Sequence, residues 1–277
     1  MQRIPLSVHQ HALFLDFDGT LADIAPHPGA VHVHADMVST LQSAYHLFNG
    51  ALAIVSGRPI AEIDSFLAPL ILPAAGEHGV QWRNSRGDFF ELDAKKLTPL
   101  LDPILQAAQH LASQHPGLLL EQKTAGFALH YRMVPALYTL CWHTLAPMVQ
   151  RTPALALMRG KYVMEVVPSA IDKGTAIHSF LLKPPFEGRT PIFIGDDVTD
   201  EAGFAAAQEV GGYGVKVGAG PSVARHRCPN PAALRAWLEQ AVTQAVGLPP
   251  YTPAHTPVDM PATMHPVIHL PQVARAA

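Results

Sequence analysis

Three short apolar runs, each ending in residues suited to a phosphate group or a metal ion, constrain the fold of this chain most strongly. The runs cover residues 12–15, 51–55 and 191–194, and helix-like segments separate them. Strands that alternate with helical segments predict a parallel, doubly wound α/β sheet. Because such sheets bind ligands outside the carboxyl ends of their strands, we expect the three run ends to lie at one edge and to form one site.

The first run ends in Asp16-Phe17-Asp18-Gly19-Thr20, which places two carboxylates one residue apart. Residues i and i+2 of a strand point to the same side, so Asp16 and Asp18 should project together. Two like charges at the end of a buried strand are unfavourable unless a cation or a bound proton compensates them. The pair indicates a divalent metal site in which Thr20 orients a neighbouring carboxylate. The alternative is a polar turn capped by Asp18.

The ends of the other two runs carry the same kind of residue. Ser56-Gly57-Arg58 follows the second run, and Gly195-Asp196-Asp197-Val198-Thr199-Asp200 follows the third. Between them, Asp172-Lys173-Gly174 opens a helix-like segment. Because these signals coincide at strand ends, a phosphate- and metal-binding site is favoured over an ordinary polar turn.

In order and spacing, these four elements resemble the motifs of the haloacid dehalogenase (HAD) superfamily, in its phosphatase branch. The resemblance implies that Asp16 is the nucleophile and Asp18 the general acid and base. It also implies that Ser56 and Lys173 are catalytic residues that bind the phosphoryl oxygens. The second aspartate is discriminating, because dehalogenases and P-type ATPases of this superfamily lack it at that position.

The same resemblance implies Mg2+ as the cofactor. Its expected ligands are Asp16, the backbone carbonyl of Asp18, and Asp196. Asp197 and Asp200 belong to the same acidic motif, and we expect them to orient the metal shell or Lys173.

Two separated pieces of the chain supply the alternating strands and helices. Residues 1–80 and 168–247 form the expected core, a HAD-like Rossmannoid α/β fold with a doubly wound, mainly parallel sheet. Residues 81–167 interrupt this pattern with antiparallel-type strands around two helices, which predicts a small inserted α+β cap domain. Residues 248–277 are rich in proline and histidine. Proline removes backbone donors, so we expect a disordered C-terminal tail there.

Polar residues lie on one side of each predicted cap strand, at even spacing. A half-exposed sheet with a solvated face commonly produces such alternation, and on the residues alone that interpretation stays open. The pairs that share a face are Glu121 with Lys123, His130 with Arg132, and Lys161 with Glu165.

These pairs, together with Gly76-Glu77-His78-Gly79 and the string from Gly195 to Glu201, resemble the trehalose-6-phosphate phosphatases, whose cap is of the C2B type. The resemblance covers about residues 12–240. It implies a phosphoric monoester hydrolase that converts trehalose 6-phosphate to trehalose and phosphate through an aspartyl-phosphate. The substrate-binding residues that it implies are Arg58, Glu77, His78, Glu121, Lys123, His130, Arg132, Lys161 and Glu165.

Two alternatives to this function stay open. The nearest is another capped phosphatase of the same superfamily, acting on sucrose phosphate or a hexose phosphate. A different one is a catalytically silent sugar-binding module on the same fold, although the intact pair Asp16 and Asp18 argues against it.

Composition limits the partners of the chain. The net charge of −3 and the lack of a basic run give no reason to expect nucleic acid or an anionic membrane. No apolar stretch reaches the length needed to cross a bilayer, and Cys141 and Cys228 are too few for a disulfide framework. We expect a cytoplasmic, monomeric protein whose partner is a small sugar phosphate.

Overall fold

The structure, a computed structural model, describes residues 6–25 and 28–246. It contains a large and a small sheet, each packed against helices. The described strands are β1 (His11–Leu15), β2 (Leu52–Val55), β3 (Ala74–Gly76), β4 (Gln81–Arg83), β5 (Phe89–Glu91), β6 (Leu119–Lys123), β7 (Gly126–His130), β8 (Leu155–Gly160), β9 (Val163–Pro168), β10 (Thr190–Gly195), β11 (Tyr213–Val217) and β12 (His226–Cys228). The described α-helices are α1 (Ala35–Leu47), α2 (Ile60–Leu67), α3 (Thr98–Gln114), α4 (Tyr138–Gln150), α5 (Lys173–Leu181), α6 (Glu201–Glu209) and α7 (Pro231–Val246).

The large sheet has the strand order β12-β11-β10-β1-β2-β3-β4-β5, and the strands from β12 to β3 are parallel. The central strand β1 is buried along its whole length, as expected where both faces of a parallel sheet are covered. Phe14 of β1 packs on Phe180 and Phe186, with ring centroids 5.7 and 5.3 Å apart. The predicted fold class, an α/β fold with a mainly parallel sheet, is confirmed.

The register of the central strands aligns their carboxyl ends. Leu15 of β1 pairs with Ile194 of β10 and with Ile54 of β2. The residues that follow these strands therefore come to the same edge of the sheet, as the strand-end argument predicts.

The β4–β5 hairpin extends the large sheet by antiparallel pairing, with Trp82 opposite both Ala75 and Phe90. The prediction that the inserted cap begins at residue 81 is therefore wrong for residues 81–91. The reason is local: the tight turn at Glu77–Gly79 returns the chain directly beside β3, where the sheet offers an open edge.

The small sheet lies later in the chain and is antiparallel, in the order β6-β7-β9-β8. Helices α3 and α4 pack on it around a separate apolar core that includes Ile104, Phe127, Cys141 and Met164. We refer to β6–β9 with α3 and α4 as the cap. These elements fall in the interval predicted for the inserted α+β unit, except that β9 ends one residue beyond it at Pro168; strand β8 was not predicted from the sequence.

No helix of these described residues is long and apolar enough to cross a bilayer. The predicted tail, residues 248–277, lies outside the described residues.

Arg83 of β4 anchors the hairpin to the rest of the large sheet. Its guanidinium donates to both carboxylate oxygens of Asp64 on α2, at 2.6 and 2.7 Å, and to the Leu72 carbonyl at 2.7 and 3.0 Å. Removing one partner of a largely buried ion pair leaves the other charge uncompensated.

Arg83→Met should lower the free energy of unfolding by about 2–3 kcal/mol, because Asp64 and the Leu72 carbonyl lose their donor. Urea titration followed by circular dichroism measures this loss. The matched control is Arg86→Met, an exposed arginine of the same hairpin, which should stay within about 0.5 kcal/mol of wild type. Equal stability of the two variants would contradict the anchoring role.

Candidate active site

A cavity of about 180 Å³ lies at the carboxyl edge of the large sheet and is lined by residues of both the sheet and the cap. Most of the residues singled out in the sequence line it. They are Asp16, Asp18, Ser56, Arg58, His78, Glu121, Lys123, His130, Arg132, Lys161, Glu165, Lys173, Asp196 and Asp197. Thr20, Glu77 and Asp200 are buried and do not line the cavity.

Lys173 joins the first and third strand ends. Its ammonium donates to Asp16 Oδ1 at 2.7 Å and to Asp200 Oδ1 at 2.6 Å, and all three side chains are buried. Burial alone would lower the pKa of Lys173, but the two carboxylates raise it above its ordinary value. Lys173 is therefore a fixed cation between two buried carboxyl groups.

The start of helix α5 places that ammonium. Asp172 caps the helix in a reciprocal arrangement with Thr175, whose backbone N–H donates to the Asp172 carboxylate at 2.7 Å. Gly174 allows the close packing of α5 on α6, since a Cβ there would lie 2.7 Å from the Ala202 carbonyl oxygen. In the string Asp172-Lys173-Gly174, the first residue caps helix α5, the second supplies the buried ammonium, and the third allows the helix to pack closely on α6.

Asp200 organises the loop after β10. Its Oδ2 accepts the backbone N–H groups of Asp196 and Asp197, each at 2.8 Å, while its Oδ1 accepts Lys173. A Cβ on Gly195 would lie 2.3 Å from the Asp200 carboxyl carbon, so glycine is required for this approach. Asp200 therefore contacts Lys173 and the loop after β10 at the same time.

The environment of Asp16 opposes its ionisation. Burial and the neighbouring charges of Asp200 and Asp196 raise the pKa of Asp16 well above its usual range, and Lys173 acts in the opposite direction. Asp16 Oδ2 also accepts the Thr20 hydroxyl at 3.1 Å, so Thr20 orients this carboxylate as predicted.

The acidic residues fit a divalent cation. Asp16, Asp196 and Asp200 each offer one carboxylate oxygen, and the three oxygens lie within 4.8 Å of one another. An all-oxygen, buried donor set suits a hard cation such as Mg2+. Asp16 and Asp196 line the cavity and Asp200 does not, so Asp16 and Asp196 are the carboxylates that a cation can reach from the cavity.

The carboxylate of Asp18 does not join this acidic group. Both of its oxygens accept from Arg58, Oδ2 from Nε at 2.6 Å and Oδ1 from Nη2 at 2.8 Å. Arg58 also donates to Glu62 at 2.8 Å, and its guanidinium lies 4.9 Å from the ring centroid of Phe66. The expectation that Asp16 and Asp18 project together is corrected: Arg58 turns Asp18 aside, which leaves its backbone carbonyl as the expected metal ligand.

The loop after β2 begins with Ser56 and packs against the ring of His78. Ser56 is buried, and its hydroxyl accepts the Arg58 backbone N–H at 3.2 Å. The ring of His78 packs directly on this loop, since a Cβ on Gly57 would lie 2.8 Å from its Cε1. Glycine at this position therefore brings a cap-facing histidine next to the predicted phosphate-binding hydroxyl.

A buried charge network connects this loop to the cap. Lys123 of β6 donates to Glu165 of β9 at 2.8 Å and to the Gly57 carbonyl at 2.8 Å, and Glu165 also contacts His78 Nε2 at 3.2 Å. The side chains of Lys123 and Glu165 are only 7% and 9% exposed. Burial alone would raise the pKa of Glu165, but Lys123 and His78 hold it well below its ordinary value.

Two further cap residues pair with each other at the cavity wall. His130 Nε2 lies 2.9 Å from Glu121 Oε2, and the Glu121 side chain is 30% exposed. Arg132 donates to the Ala25 carbonyl and, at 3.3 Å, to the Lys161 carbonyl. The alternating polar side of the cap strands therefore faces the cavity, and the solvated-face interpretation is not supported.

Glu77 does not contact the cavity, which corrects its expected place among the substrate-binding residues. It accepts the backbone N–H of Thr124, at 2.9 Å, and its hydroxyl, at 3.1 Å, in the β6–β7 turn. Glu77 and His78 both adopt left-handed backbone conformations, with φ of 47° and 62°, which are unfavourable for residues with a side chain. These contacts with the cap help to hold the turn in that conformation.

Lys216 is a site residue that the sequence reasoning did not single out. It is buried on β11, and its ammonium donates to the backbone carbonyl of Asp196 and, at 3.4 Å, to that of Val217. A charged residue within the apolar string from Val215 to Val217 was the available signal. The cavity mouth also carries exposed apolar side chains, Ile24, Leu119 and Met133, for which the sequence offered no signal.

The fold is that of the haloacid dehalogenase-like hydrolases. A haloacid dehalogenase-like hydrolase from Bacteroides thetaiotaomicron has the same fold, with a TM-score of 0.56 at 16% identity over 84% of this chain and 99% of that chain. The C-terminal domain of a trehalose-6-phosphate phosphatase from C. albicans gives a TM-score of 0.77 at 21% identity, over 85% of this chain and 92% of that chain.

Sequence comparison narrows the class to a family. The family model described as Trehalose-phosphatase matches residues 14–230. The trehalose-6-phosphate phosphatase of Escherichia coli (strain K12) is 39% identical over 239 residues, which cover 84% of this chain and 87% of the relative. A probable trehalose-phosphate phosphatase of Sinorhizobium fredii is 38% identical over 75% of this chain and 77% of the relative. The chain belongs to the trehalose-phosphatase family of phosphoric monoester hydrolases, which confirms the resemblance found in its motifs.

Glu77→Ala should lower the free energy of unfolding by about 2–3 kcal/mol, because it strands the Thr124 backbone N–H in a largely buried turn. Denaturant unfolding of the purified variant measures this. The control is Glu91→Ala, which removes an exposed carboxylate that accepts one hydrogen bond from Gln81 and should cost less than about 1 kcal/mol. A stable Glu77→Ala protein with altered substrate preference would instead favour direct substrate binding.

Proposed function

We propose that this protein hydrolyses trehalose 6-phosphate to trehalose and phosphate, in trehalose biosynthesis, with Mg2+ as cofactor. The observation that carries the proposal is the composition of the single cavity described above. One end holds the carboxylate and lysine groups suited to a phosphoryl group, and the other end holds the polar side of the cap sheet. Family membership and the trehalose-phosphatase names of the relatives support the same substrate.

Asp16 is the proposed nucleophile. One of its carboxylate oxygens attacks phosphorus in line, and the bond from phosphorus to the sugar oxygen breaks. The product of this step is an aspartyl-phosphate on Asp16. Thr20 and Lys173 hold the carboxylate in a fixed orientation from behind, which reduces the entropy lost on reaching the attack geometry.

Asp18 is the proposed general acid and base. It gives a proton to the departing sugar oxygen, and in the second step it removes a proton from the water that attacks the aspartyl-phosphate. Phosphate is released and the Asp16 carboxylate is restored. Because both oxygens of Asp18 accept from Arg58, Asp18 gives up at least one of these hydrogen bonds when it turns toward the sugar oxygen.

Asp16, Asp196 and the backbone carbonyl of Asp18 would hold the Mg2+, which would offset the repulsion between these carboxylates and a phosphate dianion. Ser56 and Lys173 bind the phosphoryl oxygens. Lys173 is already paired with Asp16 and Asp200, so its charge is fixed before the phosphate arrives, and no reorganisation is needed in the transition state.

Sugar recognition belongs to the cap and to His78. Glu121 accepts from sugar hydroxyls, while His130, Arg132 and Lys161 surround them with donors. His78 lines the same cavity, and its contact with Glu165 at 3.2 Å holds its ring beside the cap residues. Lys123 and Glu165 line the same wall but also tie the cap to Gly57, so they combine substrate contact with a structural role.

Phosphate release from a panel of trehalose 6-phosphate, sucrose 6-phosphate and glucose 6-phosphate tests this function. We expect the highest kcat/KM for trehalose 6-phosphate, loss of turnover in EDTA, and recovery with added Mg2+. Asp16→Asn should reduce turnover by more than about a hundredfold, because an amide is a very poor nucleophile toward phosphorus. A preference for another sugar phosphate, or turnover that survives EDTA, would contradict the proposal. Monomeric state and cytoplasmic location stay predictions.

Glu121→Ala should lower the rate of hydrolysis of the disaccharide phosphate and spare a substrate that has no second sugar. We expect kcat/KM for trehalose 6-phosphate to fall by about thirtyfold or more, since truncation leaves His130 and the sugar hydroxyls unpaired. Hydrolysis of p-nitrophenyl phosphate, which has no second sugar, should change less than about threefold. The control is Asp102→Ala, an exposed carboxylate of the cap helix α3, with both rates unchanged. Equal losses on both substrates would show that Glu121 maintains the fold.

A further inference from the structure

Lys161 reaches from the cap into the acidic edge of the large sheet. It follows β8 in the turn of the β8–β9 hairpin, and its ammonium forms an ion pair with Asp196 Oδ2. The Lys161 side chain is 47% exposed, whereas that of Asp196 is 2% exposed. An accessible, flexible cation from the cap thus contacts a buried carboxylate that the proposed metal site uses.

The backbone of this turn is held independently of the ammonium. Asp197 Oδ2 accepts the Lys161 backbone N–H at 3.0 Å, and Arg132 donates to the Lys161 carbonyl at 3.3 Å. Asp197, expected to orient the metal shell or Lys173, therefore binds the cap hairpin. The Lys161 side chain can change partner while its turn stays in place.

The other buried cations of this edge do not neutralise Asp196. Lys173 is paired with Asp16 and Asp200, and Lys216 reaches the backbone carbonyl of Asp196 rather than its carboxylate. Within the described residues, Lys161 is the cationic side chain in ion-pair contact with the Asp196 carboxylate.

We propose that Lys161 and the divalent cation are alternative partners of Asp196, so that binding of the cation releases Lys161 to the sugar phosphate. An ammonium beside a divalent cation on one carboxylate is electrostatically unfavourable, and the flexible lysine is the partner that moves. The substrate half of this inference rests on the proposed function; the cation half does not. The consequence is an order of binding: the cation loads first, and one cap contact with the substrate becomes available only then.

Lys161→Met in the full chain tests the cation half, with Mn2+ as the probe and no substrate present. Free Mn2+, measured by electron paramagnetic resonance, reports the dissociation constant directly. Removal of the competing charge should tighten Mn2+ binding by about five- to tenfold. Lys161→Arg, which keeps the charge, should bind Mn2+ within about twofold of wild type. Unchanged or weaker Mn2+ binding by Lys161→Met would overturn the inference.

Arg159→Met is the matched control, because it removes a cation of the same hairpin that lies near Tyr138 and Trp142 and does not line the cavity. Its Mn2+ affinity should equal that of wild type. If Arg159→Met tightens Mn2+ binding as much as Lys161→Met does, the effect is one of overall charge, and the exchange at Asp196 is wrong.

The substrate half of the inference predicts that Lys161→Met weakens substrate binding, the opposite of its effect on Mn2+ binding. At saturating Mg2+, KM for trehalose 6-phosphate should rise by about tenfold in Lys161→Met, because one charge-assisted contact is lost. A misfolded hairpin would weaken the binding of both Mn2+ and trehalose 6-phosphate. Exchange at Asp196 instead predicts tighter binding of Mn2+ and weaker binding of trehalose 6-phosphate. An unchanged KM would overturn the release of Lys161 to the substrate. Wild-type protein inactive on trehalose 6-phosphate would refute the proposed function, and the Mn2+ titration would still decide the exchange at Asp196.

Discussion

The two ion pairs of Lys173 are the interaction on which this site depends. Asp16 and Asp200 are both buried, and bringing two such carboxylates together without a cation is strongly unfavourable. Lys173 satisfies both at 2.7 and 2.6 Å. The cap of α5, the glycine contact between α5 and α6, and the Asp200 hydrogen bonds to the loop after β10 all serve to place this one ammonium. Changes in that packing far from the cavity therefore reach Asp16 through a single side chain.

The cap is joined to the loop after β2 by side chains, not only by the backbone. Lys123 of the cap donates to the Gly57 carbonyl, directly between Ser56 and Arg58, and Glu165 links Lys123 to His78. The cap residues proposed to bind the sugar and the loop after β2 therefore share the same buried charges. Under the proposed function, this sharing couples contacts with a remote sugar ring to the chemical step as well as to affinity.

The sequence predicted the strand-end residues well because their positions follow from register. Asp16, Ser56 and Asp196 come together since β1, β2 and β10 are parallel neighbours, and apolar runs report such strands directly. The partners of side chains were harder to predict, because a spacing rule says which face a residue takes but not what it meets there. Arg58 turning Asp18 aside, Glu77 binding Thr124 and Lys216 supporting Asp196 are contacts between distant segments. The place of β4 and β5 likewise depended on an open sheet edge that no local pattern records.

The left-handed pair Glu77 and His78 has a consequence for how freely caps can be exchanged between relatives. Both residues sit in the large-sheet portion of the chain, yet their partners, Thr124 and Glu165, are supplied by the insert. A foreign insert that lacks an N–H for Glu77 and a carboxylate for His78 would leave an unfavourable backbone geometry without compensation. Modular swapping at this junction is therefore restricted to inserts that bring both groups, and diversification of the insert must spare the two positions even as the other cavity-lining residues change.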